Sequence, residues 1–355
     1  MIKIFHPVMT SIPKTQKAAV YDDYSAPIVI KDTPVPEPSH DDVLVKILYS
    51  GVCYSDVSIH GGLLPGQKFP CVGGHEGVGV VVKVGDHVQD VKVGEKVGVK
   101  WVNGTCLNCE YCRAGREPNC CRPIYTGYSR EGTYQQFTLI KENHAIKLPD
   151  SVNLAEAAPI LCAGVTVYKA LKDSGLRAGQ TLAVTGAGGG LGTLAIQYAK
   201  AMGLKVLAVD AGAKEQVCKD VGADYFVDPF STKDIVATIQ ELTKGGPNGV
   251  LNLANSGPAI NKSIEYVRTG GTVIIVALPK NAKLDADIVS TVLRNITIRT
   301  SYVGTRQDTD EALDFLARGK VKVPIEIRPF SRLVESLEQV GKGQVQGRIV
   351  IDLWQ

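Results

Sequence analysis

Beyond about Leu182 the chain repeats on a scale longer than any one helix or strand. Short apolar runs at Thr181 to Thr185, Lys205 to Val209, Asp224 to Val227, Gly249 to Leu253 and Thr272 to Ala277 alternate with segments of helical length, and Ile296 to Tyr302 closes the series. Strands buried on both faces read as nearly continuous apolar runs, and parallel neighbours need a crossover, usually a helix. The alternation therefore predicts an α/β fold with a doubly wound parallel sheet of six strands.

The first of these runs leads into Gly186-Ala187-Gly188-Gly189-Gly190-Leu191-Gly192, followed by a predicted helix from Thr193 to Met202. Glycines at such a strand-to-helix turn let backbone N–H groups at a helix N-terminus approach a pyrophosphate. The glycines fit G-x-x-G-x-x-G through Gly186, Gly189 and Gly192, one residue longer than the usual spacing, with Gly190 and Leu191 inside the loop. Glycine-rich turns are common, so context carries the reading. That context includes Asp210, which ends the second run, where a carboxylate accepts hydrogen bonds from an adenosine ribose and repels a 2′-phosphate. A dinucleotide site is predicted, with NAD preferred over NADP.

The N-terminal half reads differently. From about Lys17 to Gln136, valine-rich runs such as Asp42 to Ile47 and Gly77 to Gly85 are punctuated by glycine and proline, as in a small barrel-like β domain with long loops. Within it Cys106, Cys109, Cys112 and Cys120 follow C-x2-C-x2-C-x7-C. Four soft ligands from one short loop suit a closed tetrahedral zinc site. A disulfide framework is disfavoured without a secretory signal, and a nucleic-acid finger lacks its downstream histidine pair. Cys71, Cys121 and Cys218 are expected to be bystanders. Cys53, His75 and Cys162 would make an open three-ligand set, although spacing alone leaves each equally readable as packing.

Composition narrows the partners. The chain has 355 residues, 44% of them hydrophobic, and a formal net charge of +3. That length favours two domains. The charge is too small to imply nucleic acid or an anionic membrane, and no apolar run is long enough to span a bilayer. A soluble cytoplasmic protein acting on a small molecule is expected. Residues 1 to 17 contain no Arg, which argues against a transit peptide, and Met9 could be an alternative start.

Together these motifs resemble the zinc-dependent medium-chain alcohol dehydrogenases, most closely the yeast-type fungal enzymes. The similarity runs from Ser11-Ile12-Pro13 to Arg348 and rests on Gly51-Val52-Cys53, Val72 to Gly77, Lys100-Trp101 with Asn103-Gly104, the four-cysteine lobe, Ala158 to Gly164, Gly189 to Gly192, Ser301 to Gly304 and Glu311 to Phe315. It implies a GroES-like β-rich catalytic domain at 1–163 with a structural-zinc lobe at about 101–122, a Rossmann domain at 164–303, and a return to the catalytic domain at 304–355. It implies two zinc ions per chain: a catalytic one on Cys53, His75 and Cys162 with Glu76 beside it, and a structural one on Cys106, Cys109, Cys112 and Cys120. Ser55 matches the hydroxyl that meets the substrate oxygen, Arg348 a pyrophosphate contact and Lys214 a ribose neighbour. A homotetramer and reversible hydride transfer between an alcohol and NAD are implied as well.

The chain departs from the pattern in three places. Tyr54 stands where a cationic residue usually faces the pyrophosphate, Ser58 where a histidine often ends the proton relay, and Leu63 or Leu64 where a pocket Trp is usual. His60, about 200° round a helix from Ser58, is not expected to substitute. Trp101 and Leu278 are expected to line the substrate pocket. These departures leave open a reductase of a bulkier aromatic or secondary-metabolic aldehyde or ketone, and less favourably a zinc- and nucleotide-binding protein without turnover.

Overall fold

The computed structural model describes residues 11–355. The alternative start at Met9 lies outside the described residues. The central strand of the N-terminal half, Asp42–Gly51, pairs antiparallel with Gly77–Val84 on one side and with Phe137–Lys141, with register shifts at Leu44/Val45 and Ile47/Tyr49. Bulges of this kind bend a strand and increase its twist, which lets a sheet curl toward a barrel. Lys96–Val99 and Ile146–Lys147 extend the sheet beyond Gly77–Val84. A separate three-stranded sheet places Thr15–Tyr21 between Val29–Pro34 and Cys71–Val72.

The C-terminal strand Arg348–Asp352 returns to this half and pairs antiparallel with the end of Asp42–Gly51, Val350 opposite Gly51. It brings Arg348 beside the segment that carries Cys53. The tail helix runs from Arg306 to Ala317, starting earlier than its apolar periodicity at Asp310 to Arg318 suggests. Thr305 caps it, and a capping box with Asp308 fixes the start. A polar first turn of this kind is invisible to a hydrophobic pattern but supplies the orphan N–H groups with acceptors.

The second half is an all-parallel sheet in the spatial order Tyr225–Val227, Lys205–Val209, Thr181–Thr185, Gly249–Asn252, Thr272–Ile275 and Thr297–Thr300. These are the six predicted strands in doubly wound order. Thr297–Thr300 at one edge and Thr272–Ile275 inside the sheet are both shorter than their apolar runs. Residues alternate between the faces: Leu182 and Val184 enter one core cluster and Ala183 another. The cluster holding Leu182 and Val184 also contains Val78, Ile146 and Leu161. The two halves thus share a continuous apolar core, which fixes the floor of the cleft between them.

Candidate active site and metal centres

Chain order scatters Cys53, His75 and Cys162; three local devices gather them. The strand Asp42–Gly51 ends just before Cys53, which caps the helix Tyr54–His60, its thiol accepting from Ser55 N–H at 3.5 Å. His75 and Glu76 lie just ahead of the strand Gly77–Val84, and Cys162 immediately precedes the buried helix Ala163–Asp173. The result is a fully buried group in which ligand atoms of Cys53, His75, Glu76 and Cys162 lie within 4.8 Å of one another. His75 Nε2 lies 3.2 Å from Cys162 Sγ.

The other ring nitrogen is occupied. His75 Nδ1 hydrogen-bonds Asp56 Oδ1 at 2.7 Å, and Asp56 Oδ2 accepts from Tyr134 Oη at 2.6 Å and from Cys53 N–H at 3.0 Å. A carboxylate on one imidazole nitrogen orients the other toward a metal, the usual arrangement of a ligating histidine. Burial disfavours charge on His75, yet Asp56 and Cys53 outweigh it and raise its pKa well above the ordinary value. A hydrogen bond with Cys162 leads in drawing the Cys53 thiol well down, helped by His75 and opposed by burial. Asp56 and Tyr134 escaped the sequence reading. Asp56 is legible afterwards as the third residue of its helix, completing a capping box with Cys53; Tyr134 carries no local signal.

Glu76 sits behind the set. Burial pushes its carboxyl up to about 7 against the pull of Arg348, whose Nη2 reaches both carboxylate oxygens at 2.6 and 2.5 Å. The resemblance implies that Arg348 meets a pyrophosphate; here its Nη2 is held by Glu76. Its stem nonetheless runs along the glycine loop, since a Cβ on Gly190 would stand 2.7 Å from Arg348 Cδ. Arg348 Nε is buried without a hydrogen-bond partner. An unpaired donor there suits an anionic group at the loop.

The loop itself turns tightly. Gly186 adopts φ +66°, and a Cβ on Gly192 would lie 2.3 Å from Gly186 O. The chain can turn into the helix Gly192–Ala201 only without side chains at these two points. Asp210 accepts from Gly188 N–H at 2.9 Å and Ala211 N–H at 2.8 Å, with Lys214 Nζ 4.0 Å away. Gly189 lies one turn ahead of the helix, its carbonyl accepting from Thr193.

A cavity of about 370 Å³ joins the two parts. Cys53, Ser55, Ser58, Leu63 and Cys162 face it from one half; Leu191, Leu253 and the stretch Ile275 to Leu278 face it from the other. Larger hollows of about 480 to 580 Å³ elsewhere contain none of Cys53, His75 and Cys162. Of the two leucines at the expected Trp position, Leu63 lines the cavity and Leu64 packs in a satellite core with Ile59 and Val102. Trp101 is not among the lining residues. It lies behind them, edge-on to His75 at 5.6 Å, donating from Nε1 to Tyr302 Oη at 2.6 Å. His60 turns away, its Nε2 on Ala26 O at 2.8 Å, so it does not reach Ser58. Tyr54 Oη accepts across the cleft from Asn255 Nδ2 at 3.3 Å.

The cysteine lobe is likewise assembled. Cys109 Sγ lies 3.5 Å from Cys112 Sγ, Cys120 Sγ 3.5 Å from Cys106 Sγ, and Cys106 Sγ 4.0 Å from Cys112 Sγ. Backbone N–H groups of Asn108 and Cys109 pull the Cys106 thiol down to about 5. All nine cysteines are free. Cys121, expected to be a bystander, is found here too: its sulfur groups with those of Cys106, Cys109 and Cys120 within 4.8 Å.

Residues 39–150 match the alcohol dehydrogenase GroES-like domain and residues 190–318 the zinc-binding dehydrogenase family. Alcohol dehydrogenase 1 of Caenorhabditis elegans is 48% identical over 342 residues, 96% of this chain and 98% of the relative. Among solved structures, the alcohol dehydrogenase of the archaeon Aeropyrum pernix superposes with a TM-score of 0.87 at 30% identity, over 95% of this chain and 100% of that one. The acetophenone reductase of Geotrichum candidum, solved in complex with NAD, gives 0.87 at 31% identity over 97% and 99%.

Proposed function

We propose that this chain, which belongs to the zinc-binding alcohol dehydrogenase family, catalyses reversible hydride transfer between an alcohol and NAD, giving an aldehyde or ketone. The observation that carries this is the shared cavity: Cys53 and Cys162, with His75 packed behind them, line the same space as Leu191 of the glycine loop and the strand end Ile275 to Leu278. A dehydrogenase needs its substrate oxygen and its coenzyme ring in one enclosed volume.

Two thiols and an imidazole whose far nitrogen is held by a carboxylate are the donor set for zinc with one open position. Cys53, His75 and Cys162 would hold that catalytic zinc, and Cys106, Cys109, Cys112 and Cys120 the structural one. When bound, zinc supplies a positive charge that stabilises an ionised hydroxyl, and NAD supplies the hydride acceptor. The chain's residues do the rest. Ser55 Oγ takes the hydroxyl proton and passes it outward. Ser58, without a pKa near neutrality, hands it to water rather than acting as a base. Leu63 and Leu278 form apolar walls, with Trp101 buttressing from behind. Asp210 and Lys214 receive the adenosine ribose, Gly186 to Gly192 the pyrophosphate, and Arg348 braces the loop while holding Glu76. This division of labour corresponds to catalytic segments at 1–163 and 304–355 around a coenzyme domain at 164–303.

Reduction of a bulkier aromatic ketone is the second reading, favoured by Leu63 in place of a larger ring and by the resemblance to the acetophenone reductase. The test is initial rates with NAD over primary, secondary and aromatic alcohols, and with NADH over the matching carbonyls. Turnover with a simple alcohol supports the first reading; kcat/KM concentrated on aryl ketones supports the second. No turnover by protein carrying both zinc ions would sink both.

Subunit association fits the same proposal. Ile288, Val289, Val292 and Leu293 are exposed on one short helix, beside the open edge of Thr297–Thr300. A second copy pairing there would cover the helix and continue the sheet, and two such dimers make the expected homotetramer. Among the described residues no single helix is long and apolar enough to cross a membrane. Two thiolate-rich metal sites suit the reducing cytoplasm.

A further inference from the structure

We propose that Cys121 is a fifth thiolate of the cysteine lobe, able to replace Cys112 among the ligands of the metal held there. The inference rests on the structural-zinc reading above. Four sulfurs about 2.3 Å from a common tetrahedral centre lie about 3.8 Å apart. Cys112 approaches that spacing toward Cys109 and Cys106, at 3.5 and 4.0 Å. Cys121 closes a set with Cys106, Cys109 and Cys120 whose sulfurs all lie within 4.8 Å of one another, and Cys112 stands outside that set. Three sulfurs are common to both sets and two compete for the remaining corner. A closed zinc site takes four ligands, so one of the five thiols is always left over.

The hydrogen bonding distinguishes the shared ligands from the competitors. Cys106 N–H and Arg122 N–H donate to Cys120 Sγ at 3.3 and 3.4 Å, and Cys109 N–H donates to Cys106 Sγ at 3.3 Å. These bonds hold shared sulfurs in place whichever thiol completes the tetrahedron. The competitors arrive on different supports: Cys112 from the short helix Glu110–Arg113, Cys121 directly after Cys120 in an exposed bend. Exchange therefore needs side-chain rotation rather than refolding of the loop. The lobe would keep its zinc when Cys112 is chemically blocked.

The experiment compares purified full-length protein with Cys112→Ser, Cys121→Ser, the double variant and Cys109→Ser, using zinc content and, after cobalt substitution, the thiolate-to-cobalt charge-transfer band. Either single variant at the contested corner should retain the lobe metal with a four-sulfur spectrum, whereas the double variant and Cys109→Ser should lose it. Iodoacetamide mapping adds a readout that does not need the double variant to fold. Cys121 of the zinc-loaded parent should be alkylated readily, and in Cys112→Ser it should react about tenfold more slowly or less, because metal binding occupies the nucleophilic thiolate. Loss of zinc from Cys112→Ser as complete as from Cys109→Ser, retention in the double variant, or unchanged Cys121 reactivity would each overturn the proposal. Retention of both zinc ions in Cys109→Ser would instead refute the structural-zinc reading beneath it.

Discussion

Asp56 shows how much a single carboxylate can organise. It closes the capping box by accepting from Cys53 N–H, orients His75 and accepts from Tyr134, three tasks concentrated on two oxygens. Replacing it with Asn keeps the shape but removes the charge that fixes the imidazole. Asp56→Asn is expected to lower zinc affinity or kcat/KM by about 10- to 100-fold. Zinc retention against a chelator, measured beside the kinetics, checks this; full retention with normal kinetics would show that Tyr134 and Cys53 suffice to position the ring. Asp210 sets a second expectation. Its carboxylate already accepts from Gly188 and Ala211, which holds it at the loop. Asp210→Asn should narrow the NAD to NADP ratio of kcat/KM by tenfold or more, about 1.4 kcal/mol for each factor of ten. A parent enzyme that already prefers NADPH would refute the role.

At the level of elements, the glycine loop and its helix act as one part. The helix Gly192–Ala201 begins where Gly192 touches the carbonyls of Gly186 and Ala187, with no room for a methyl group. Both obstructing atoms are backbone, so relief requires moving the turn itself. Gly192→Ala is therefore expected to cost about 1–3 kcal/mol of stability, the usual range for overpacking, and to weaken NADH binding. Denaturant melts and fluorescence titration of NADH test the two effects separately. A variant as stable as the parent would mean that the helix shifts freely.

Two properties belong to the whole molecule. His144 is buried, and desolvation together with the positive charges of Lys100 and Arg306 lowers its pKa from 6.5 to about 3. Between those values the unfolded chain binds a proton that the folded chain does not. The resulting stability is fully present above pH 6.5 and is lost as pH falls toward about 3. His144→Gln should flatten that limb, seen as a smaller drop in urea midpoint between neutral and acidic buffer; an unchanged pH dependence would place the acid sensitivity elsewhere. Association is the other property. With Leu293 exposed at 78% on the apolar helix, Leu293→Glu should shift the protein toward smaller species in sedimentation velocity. Monomeric parent protein at assay concentration would remove the basis for the interface.

What the chain determined by itself was whatever depends on neighbours in sequence. Six parallel strands, the glycine turn and the cysteine spacing are local patterns, legible because side-chain period and loop length act over a few residues. Starts hidden in polar turns, such as Arg306 under its Thr305 cap, were missed because capping leaves no apolar trace. The pairing of Arg348 with Glu76, the hold of Asp56 and Tyr134 on His75, and the arrival of Cys121 beside its neighbours were decided by tertiary structure alone. Each joins groups whose meeting depends on how strands and loops fold across one another, and no periodicity in the chain encodes where a long-range hydrogen bond ends.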